Sequence, residues 1–369
     1  MKIPRRVERR RLMLSTVLFV NLFFSAYAVA QQRSFLVDLN TRTATELTGL
    51  GRSTTAAAIN DAGEVVGHSF VSRGNFHAFI TGPNGVGMRS LGTLGGPVSQ
   101  AFGINNSGQV VGYSHTILGE TRAFITGPGG MGMRDIGTVG GSYSYAYDIN
   151  ATGQVVGSSH TSASEQHAII TNPNGLGMRD LGVFGSPNWA WGINDLGQAV
   201  GSSWVGAFIT GPDGRGVRDL GTLGAVGSAA AAINNSGQAV GWSNTPTGAS
   251  HAFITGPDGV GMRDLGHLGG NVSAAYGINE VGQVAGSSLT GGGHDHAFIT
   301  GFNGVGMTDL NSLVKLPAGV ILAEAWDINN MGQVIATTSL LIPEPESYLM
   351  FLGGLGLVGF MTWRKRLPV

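Results

Sequence analysis

The pattern Ile-Asn-x-x followed by Gly-Gln, with Glu64 in place of Gln in the first copy, recurs along this chain, with its asparagine at Asn60, Asn105, Asn150, Asn194, Asn234, Asn279 and Asn329. The steps between copies are 45, 45, 44, 40, 45 and 50 residues, so the copies fill most of the 369 residues. A second pattern keeps phase with it: Ala78-Phe79-Ile80-Thr81, Ala123-Phe124-Ile125-Thr126, and further copies from Ala168, Ala207, Ala252 and Ala297. Self-similarity at this period means that one unit cannot bury its own apolar face and must stack on its neighbours.

Glycine is abundant, 62 residues, and charged residues make up only 12%. With 42% hydrophobic residues the chain has enough apolar surface to fold. That balance points to an all-β body rich in turns. In the unit beginning at Ala275, Tyr276-Gly277-Ile278 reads as a strand and Asn279-Glu280-Val281-Gly282 as a hairpin turn. Gln283 to Ser287 is the return strand, His296 to Thr300 a third and Met307 to Leu310 a fourth. Elsewhere the second turn reads Gly-Pro-Asn-Gly or Gly-Pro-Asp-Gly, as at Gly82 and Gly211, which suits a type I turn.

Four short strands per roughly 45 residues is the size of a propeller blade. The expectation is a seven-bladed β-propeller, a parallel β-solenoid being the alternative. The strands Phe35–Leu39 and Thr45–Leu47 match the third and fourth strands of a unit, whereas Ala325–Ile328 and Gln333–Ala336 match the first and second. The two halves are expected to form one blade and close the ring, removing open edges. Alanine stands three residues before each motif isoleucine, and the next position is often aromatic: Phe102, Tyr147, Trp191, Tyr276 and Trp326. Small against large lets neighbouring sheets interlock, so these aromatics read as packing residues.

Both ends differ from the body. Residues 1–30 have the layout of a signal peptide: Lys2, Arg5, Arg6, Arg9, Arg10 and Arg11, an apolar run from Leu12 to Phe24, and Ala28-Val29-Ala30 before Gln31. A plain N-terminal anchor is the alternative. At the other end, Pro343-Glu344-Pro345 precedes an uncharged run from Ser347 to Trp363 and a basic cluster, Arg364-Lys365-Arg366. Seventeen helical residues span about 25 Å, against a hydrocarbon core of roughly 30 Å, so the expectation is a marginal transmembrane helix with its basic end cytoplasmic.

Pro-Glu-Pro, a short apolar run and a terminal Arg-Lys-Arg together resemble the PEP-CTERM sorting signal of Gram-negative bacteria. The resemblance implies recognition by an exosortase, then release or attachment at the cell surface, with a plain tail anchor as the alternative. It assigns the sorting role to Pro343, Glu344, Pro345, Arg364, Lys365 and Arg366. The repeat in turn resembles the HAF-type extracellular repeat through His-Ala-Phe, Asp-Leu-Gly-Thr-Leu-Gly-Gly, Gly-Ile-Asn and Gly-Gln-Val-Val-Gly. His77, His251 and His296 keep the full triplet. That resemblance implies an exported repeat protein and no catalytic residues.

Between residues 31 and 342 there are 12 basic and 19 acidic residues, a net charge of −7 without a basic stripe, which argues against nucleic acid. Zero cysteines fits an exported protein without disulfides. A residue repeated in every unit builds the unit, which sets aside the recurrent His, Asp and Gln as a catalytic set. His294-Asp295-His296 is metal-like locally but lacks further ligands, and the Arg-Asp pairs (Arg134-Asp135, Arg179-Asp180, Arg218-Asp219, Arg263-Asp264) read as solubility and edge protection. Gly-x-Gly stretches such as Gly85-Val86-Gly87 lead into strands, so they are not phosphate cradles. Neither catalytic residues, a metal nor a cofactor is expected.

Departures from the repeat are better candidates. The shortened unit near residues 183–206 carries Trp189, Trp191 and Trp204, whose indoles suit sugar rings if exposed. Glu280, Asp148 and Asp327 also depart from their repeat neighbours, without evident convergence. The reading is an exported protein in three parts: signal peptide 1–30, repeat propeller 31–342, and sorting signal 343–369 with its helix. It passes through an inner-membrane intermediate to the cell surface or matrix. Its role is non-catalytic, with exosortase, extracellular polysaccharide or a surface protein as partners. The alternative is a propeller-type polysaccharide lyase or glycoside hydrolase, which predicts non-repeated acids converging at one mouth.

Overall fold

Each motif asparagine heads a tight turn between two antiparallel strands. At Asn105 the backbone nitrogen donates to the Gln109 carbonyl at 3.1 Å, and Gly108 N–H returns to the Asn105 carbonyl at 2.9 Å. The Asn105 side-chain oxygen accepts from the nitrogens of Ser107 and Gln109. Gly108 and its six counterparts hold φ between 73 and 79°, a left-handed backbone that glycine takes without a Cβ penalty. In the described copies with Asn or Asp at the second corner of the other turn (Asn84, Asn174, Asp213, Asp258, Asn303), that residue has φ of 52 to 58°. A type I turn needs negative φ there, so the type I expectation is corrected. Asn and Asp tolerate the left-handed region. This conformation lets Asn84 and Gly85 donate their N–H groups to the Ala62 and Gly63 carbonyls, tying the two turns of one unit together.

The computed structural model describes residues 32–338 except 52, 73 and 184. They form an all-β propeller body whose only helical pieces are three-residue 3-10 turns. Within this body, seven strands are innermost in their sheets: Thr54–Ile59, Gly95–Ile104, Gly140–Ile149, Trp189–Ile193, Ser228–Ile233, Gly269–Ile278 and Leu322–Ile328. Each touches the next, and Leu322–Ile328 touches Thr54–Ile59, which closes the circuit.

The expected seven separate blades are corrected. The described strands make five separate four-stranded blades, plus one eight-stranded sheet in which two units run together. The join is a parallel pairing of Ser250 with Val272. There the fourth strand of one unit, Arg263–Gly266, leaves the path, and the long strand Gly269–Ile278 reaches the neighbouring third strand directly. The flanking transmembrane helix is likewise no part of the observed fold. Among the described residues no helix is long and apolar enough to cross a membrane, and the stretch 347–363 lies outside them, as do residues 1–30, where a signal peptide is expected.

One four-stranded blade is stitched from the two ends of the described body. Ser34–Asp38 pairs antiparallel with Gln333–Thr338, with Val37 opposite Val334, and is flanked by Thr43–Glu46 and Leu322–Ile328. The motif asparagines draw the same circle in side-chain chemistry. Asn60 Nδ2 donates to the Asn105 carbonyl at 3.2 Å, Asn105 to Asn150 at 3.0 Å and Asn150 to Asn194 at 3.1 Å. Asn194 donates to Asn234, Asn234 to Asn279 and Asn279 to Asn329. Asn329 then donates to Asn60 at 2.9 Å. All seven are buried, so each bond satisfies groups that would otherwise be costly to desolvate.

The apolar core lies between neighbouring sheets. One cluster joins Val156, Ala168 and Ile170 of one unit to Ala190, Ile193, Ala199 and Phe208 of the next. Another joins Val111, Ala123 and Ile125 to Ala146, Ile149 and Val155. The recurrent alanines and phenylalanines therefore fill interfaces that only a neighbour completes.

Candidate functional site

Every innermost strand carries a register shift at the same point: between Ala101 and Gly103, Ala146 and Asp148, Ala190 and Gly192, Ala325 and Asp327, and likewise in the other three. The residue passed over is Phe102, Tyr147, Trp191, Tyr276 or Trp326, with Ala57 and Ala231 in the two remaining strands. A bulge adds one residue, bends the strand and re-aims side chains. The second strand accommodates it with glycine: a Cβ on Gly112, Gly157 or Gly201 would sit 1.9 Å from the carbonyl oxygen of Gln100, Tyr145 or Trp189.

The aromatic residues meet across units. Phe102 and Tyr147 have ring centroids 5.6 Å apart, and Tyr147 and Trp191 are 4.4 Å apart. Alternation along the strand places Tyr145 on the same face as Tyr147, with planes 5° apart, and Trp189 on the same face as Trp191, at 6.3 Å and 20°. Tyr113 joins through Phe102 and Tyr145. The result is a continuous group of six rings over three consecutive units. None of the six is fully buried, and Trp191 is 36% exposed. Five of them stand on innermost strands. Their polar atoms are anchored behind: Trp191 Nε1 donates to Ser202 Oγ at 3.2 Å, and the Tyr147 hydroxyl meets Ser158 Oγ at 3.3 Å. Burial pushes the Tyr147 phenol up to about 12. Tyr276 and Trp326 stack at 4.8 Å as a smaller second group.

Next along two of these strands come carboxylates. Asp148 Oδ2 accepts from Ile193 N–H in the following unit at 2.9 Å, and Oδ1 from Ile149 N–H at 2.8 Å. Asp327 repeats this geometry with Ile59 and Ile328. Both residues are half-buried, and their carboxyl groups are desolvated by the surrounding protein. Burial drives each carboxyl up to about 7 against the opposing pull of the two N–H donors; the Asp327 charge adds to the rise at Asp148. The other five strands have Gly or Ala at this position, and a Cβ on Gly103 would come within 3.0 Å of the Asp148 Cα. The opening at the asparagine turns is edged by Asp61, Asn106, Asp195, Asn235, Glu280 and Asn330, whose side chains accept from a neighbouring unit's backbone, as Asn106 does from Asp61 at 2.9 Å.

Trp189, Trp191 and Trp204 thus fall at one end of one blade, Trp204 being 82% exposed on the loop after Ser203. Trp189 and Trp191 join the aromatic wall; Trp204 is in no ring contact with them. Of Glu280, Asp148 and Asp327, which the sequence left without evident convergence, Asp148 and Asp327 come close enough for the charge of one to act on the other, whereas Glu280 stands on the asparagine turns beside Asn235. That convergence went unseen because Asp148 and Asp327 are 179 positions apart in the chain; their shared phase, two residues before the motif asparagine, was the available signal. Tyr145 and Tyr113 were missed for want of a repeat to mark them.

The recurrent histidines stand in separate units, three of them paired with an aspartate: His251 Nδ1 meets Asp264 Oδ2 at 2.7 Å and His296 Nδ1 meets Asp309 Oδ2 at 2.7 Å. His167 makes the equivalent contact with Asp180, which raises its pKa. The arginines of the Arg-Asp pairs link neighbouring units. Arg134 donates to the Asn174 carbonyl and Arg263 to the Asn303 carbonyl of the next unit, and Arg89, Arg179 and Arg218 make the same link. Among the described residues no group of three or more His, Asp or Glu side chains has metal-site geometry, His294-Asp295-His296 included. Pro343, Glu344, Pro345, Arg364, Lys365 and Arg366 lie outside the described residues.

No curated protein matches the chain. Among solved structures it is similar to the putative TolB of Agrobacterium tumefaciens, with 10% identity and a TM-score of 0.49 over 84% of this chain and 98% of that one. An oligogalacturonate lyase from Vibrio parahaemolyticus is similar with 9% identity and a TM-score of 0.47, covering 85% and 98%. TolB from Acinetobacter baumannii follows with 9% identity, a TM-score of 0.40, and 92% and 71% covered. Residues 341–366 match the PEP-CTERM protein-sorting motif, which implies an exported protein consistent with exosortase processing.

Proposed function

We propose that this exported propeller holds extracellular polysaccharide at its axial aromatic wall and does not cleave it. The observation that carries the reading is the six-ring group Phe102, Tyr113, Tyr145, Tyr147, Trp189 and Trp191, partly exposed on consecutive units. A sugar ring presents a flat face of C–H groups and a rim of hydroxyls; a wall of indole and phenol faces complements the first, and neighbouring polar groups complement the second. Trp204 extends the same end of the blade as a further contact. The PEP-CTERM motif supports delivery to a surface where such polymers lie, and the HAF-type resemblance of the repeat fits the same setting. A glycan-array screen with the purified protein tests the reading: hits that weaken in the Trp191→Ala variant support it, and an array without hits removes it.

The second reading is a lyase or glycoside hydrolase, which the convergence of Asp148 and Asp327 favours, since carboxyls near pKa 7 suit proton transfer. Against it, all four of their oxygens accept backbone N–H groups of neighbouring residues, a structural use. Incubating any array hit with the protein and looking for shorter or unsaturated products separates the two.

A further inference from the structure

The seven strands around the axis contain no Lys, Arg or His, but they carry Asp148, Glu324 and Asp327. Glu324 stands in the same strand as Trp326, its Oε2 accepting from Thr337 Oγ1 at 3.3 Å. Many cations of the described body are engaged elsewhere. Arg33 pairs with Glu46, Arg122 with Glu120, and five of the repeated arginines hold turn carbonyls. Resting on the polysaccharide reading above, we propose that the axial wall selects a glycan without acidic substituents, a polymer of neutral hexose or N-acetylhexosamine, and rejects uronate-, sulfate- or phosphate-bearing chains. An acidic sugar would bring its charge beside carboxyl groups in a partly desolvated space, with no arginine fork there to receive it. A neutral sugar stacks on the rings without that penalty. This selection comes from repulsion of the wrong ligand as much as from attraction of the right one.

The test uses a glycan array that holds neutral and uronate-bearing polymers, followed by titration of a neutral glucan and its carboxymethylated derivative with the purified protein. The expected result is neutral hits, with the carboxymethylated polymer at least about tenfold weaker at pH 8, where Asp148 and Asp327 are mostly ionised, at low ionic strength, and the gap narrowing as salt screens the repulsion. The Asp148→Gly variant, which removes the carboxyl next to Tyr147 and gives that strand the residue three other units carry, is expected to bind the carboxymethylated polymer several-fold more tightly than the parent protein. Equal or tighter binding of the acidic polymer by the parent protein overturns the inference while leaving polysaccharide binding standing. An array with no hits of either kind removes the reading on which it rests.

Discussion

The side-chain amide of Asn329 donates to the backbone carbonyl of Asn60, 2.9 Å away and 269 residues earlier in the chain. It is the same bond that joins Asn60 to Asn105, now joining the last inner strand's turn to the first. Asn329 also accepts at its Oδ1 from the nitrogens of Met331 and Gln333 and donates to Gln333 Oε1. The closing asparagine therefore shapes its own turn and fastens the last inner strand to the first.

Asn329→Ala removes these bonds and leaves buried donors and acceptors without partners. A loss of about 2–3 kcal/mol is expected, seen as a lowered unfolding midpoint in denaturant with little change in slope. The exposed neighbour Asn330 is the control, and Asn330→Ala is expected to cost about 1 kcal/mol or less. Equal losses in the two variants contradict the role given to the asparagine circle.

Gly201 faces the bulge that carries Trp191. A Cβ there would stand 1.9 Å from the Trp189 carbonyl oxygen and 2.9 Å from Phe208 Cε1. Gly201→Ala is expected to destabilise by about 1–3 kcal/mol through overpacking and to shift the indole environment. Thermal unfolding together with tryptophan fluorescence checks it. An unchanged emission spectrum with unchanged stability means that the bulge does not set the aromatic wall.

Much of this was legible from the repeat. Strands, turns, their order and the complementary half-units follow from period, glycine placement and the apolar pattern. The count of separate sheets was not, because the Ser250–Val272 pairing that fuses two units depends on how far one strand extends, and no local residue signals it. The second-corner turn was misread for a related reason. Pro83-Asn84-Gly85 permits either sign of φ at Asn84, and the neighbouring carbonyls of Ala62 and Gly63 decide it. The axial site was half visible. Trp189 and Trp191 stood out by composition, whereas the convergence of Asp148 on Asp327 is a tertiary property of the ring.

Asp148 and Asp327 predict a pH dependence of stability. Burial raises both folded-state values to about 7 from an ordinary carboxylate value near 3.8. Between those limits the folded protein binds protons that the unfolded chain has released, so stability falls as pH rises from about 4 to about 7 and levels off above. The pair contributes a decline on the order of a few kcal/mol. Three of the other units carry glycine here, so the double variant Asp148→Gly, Asp327→Gly is expected to flatten the curve and to be more stable than the parent at pH 8. A parent-like slope in the variant assigns the effect to other groups.

The C-terminal motif predicts a change in processing. Replacing Arg364, Lys365 and Arg366 with alanine, or deleting residues 343–369, is expected to abolish exosortase-dependent maturation. In a host with an exosortase, the parent chain is expected to give a shortened, surface-released or surface-attached species, detected by fractionation and intact mass. A shortened species formed equally by the variants argues against the sorting role.

The aromatic wall is tested most directly by titrating a glycan-array hit into the parent protein and into the Trp189→Ala, Trp191→Ala double variant by calorimetry. Loss of two stacking faces at about 1 kcal/mol each predicts affinity reduced by roughly thirtyfold, with thermal unfolding still a single transition. Undiminished affinity in the folded double variant contradicts the account.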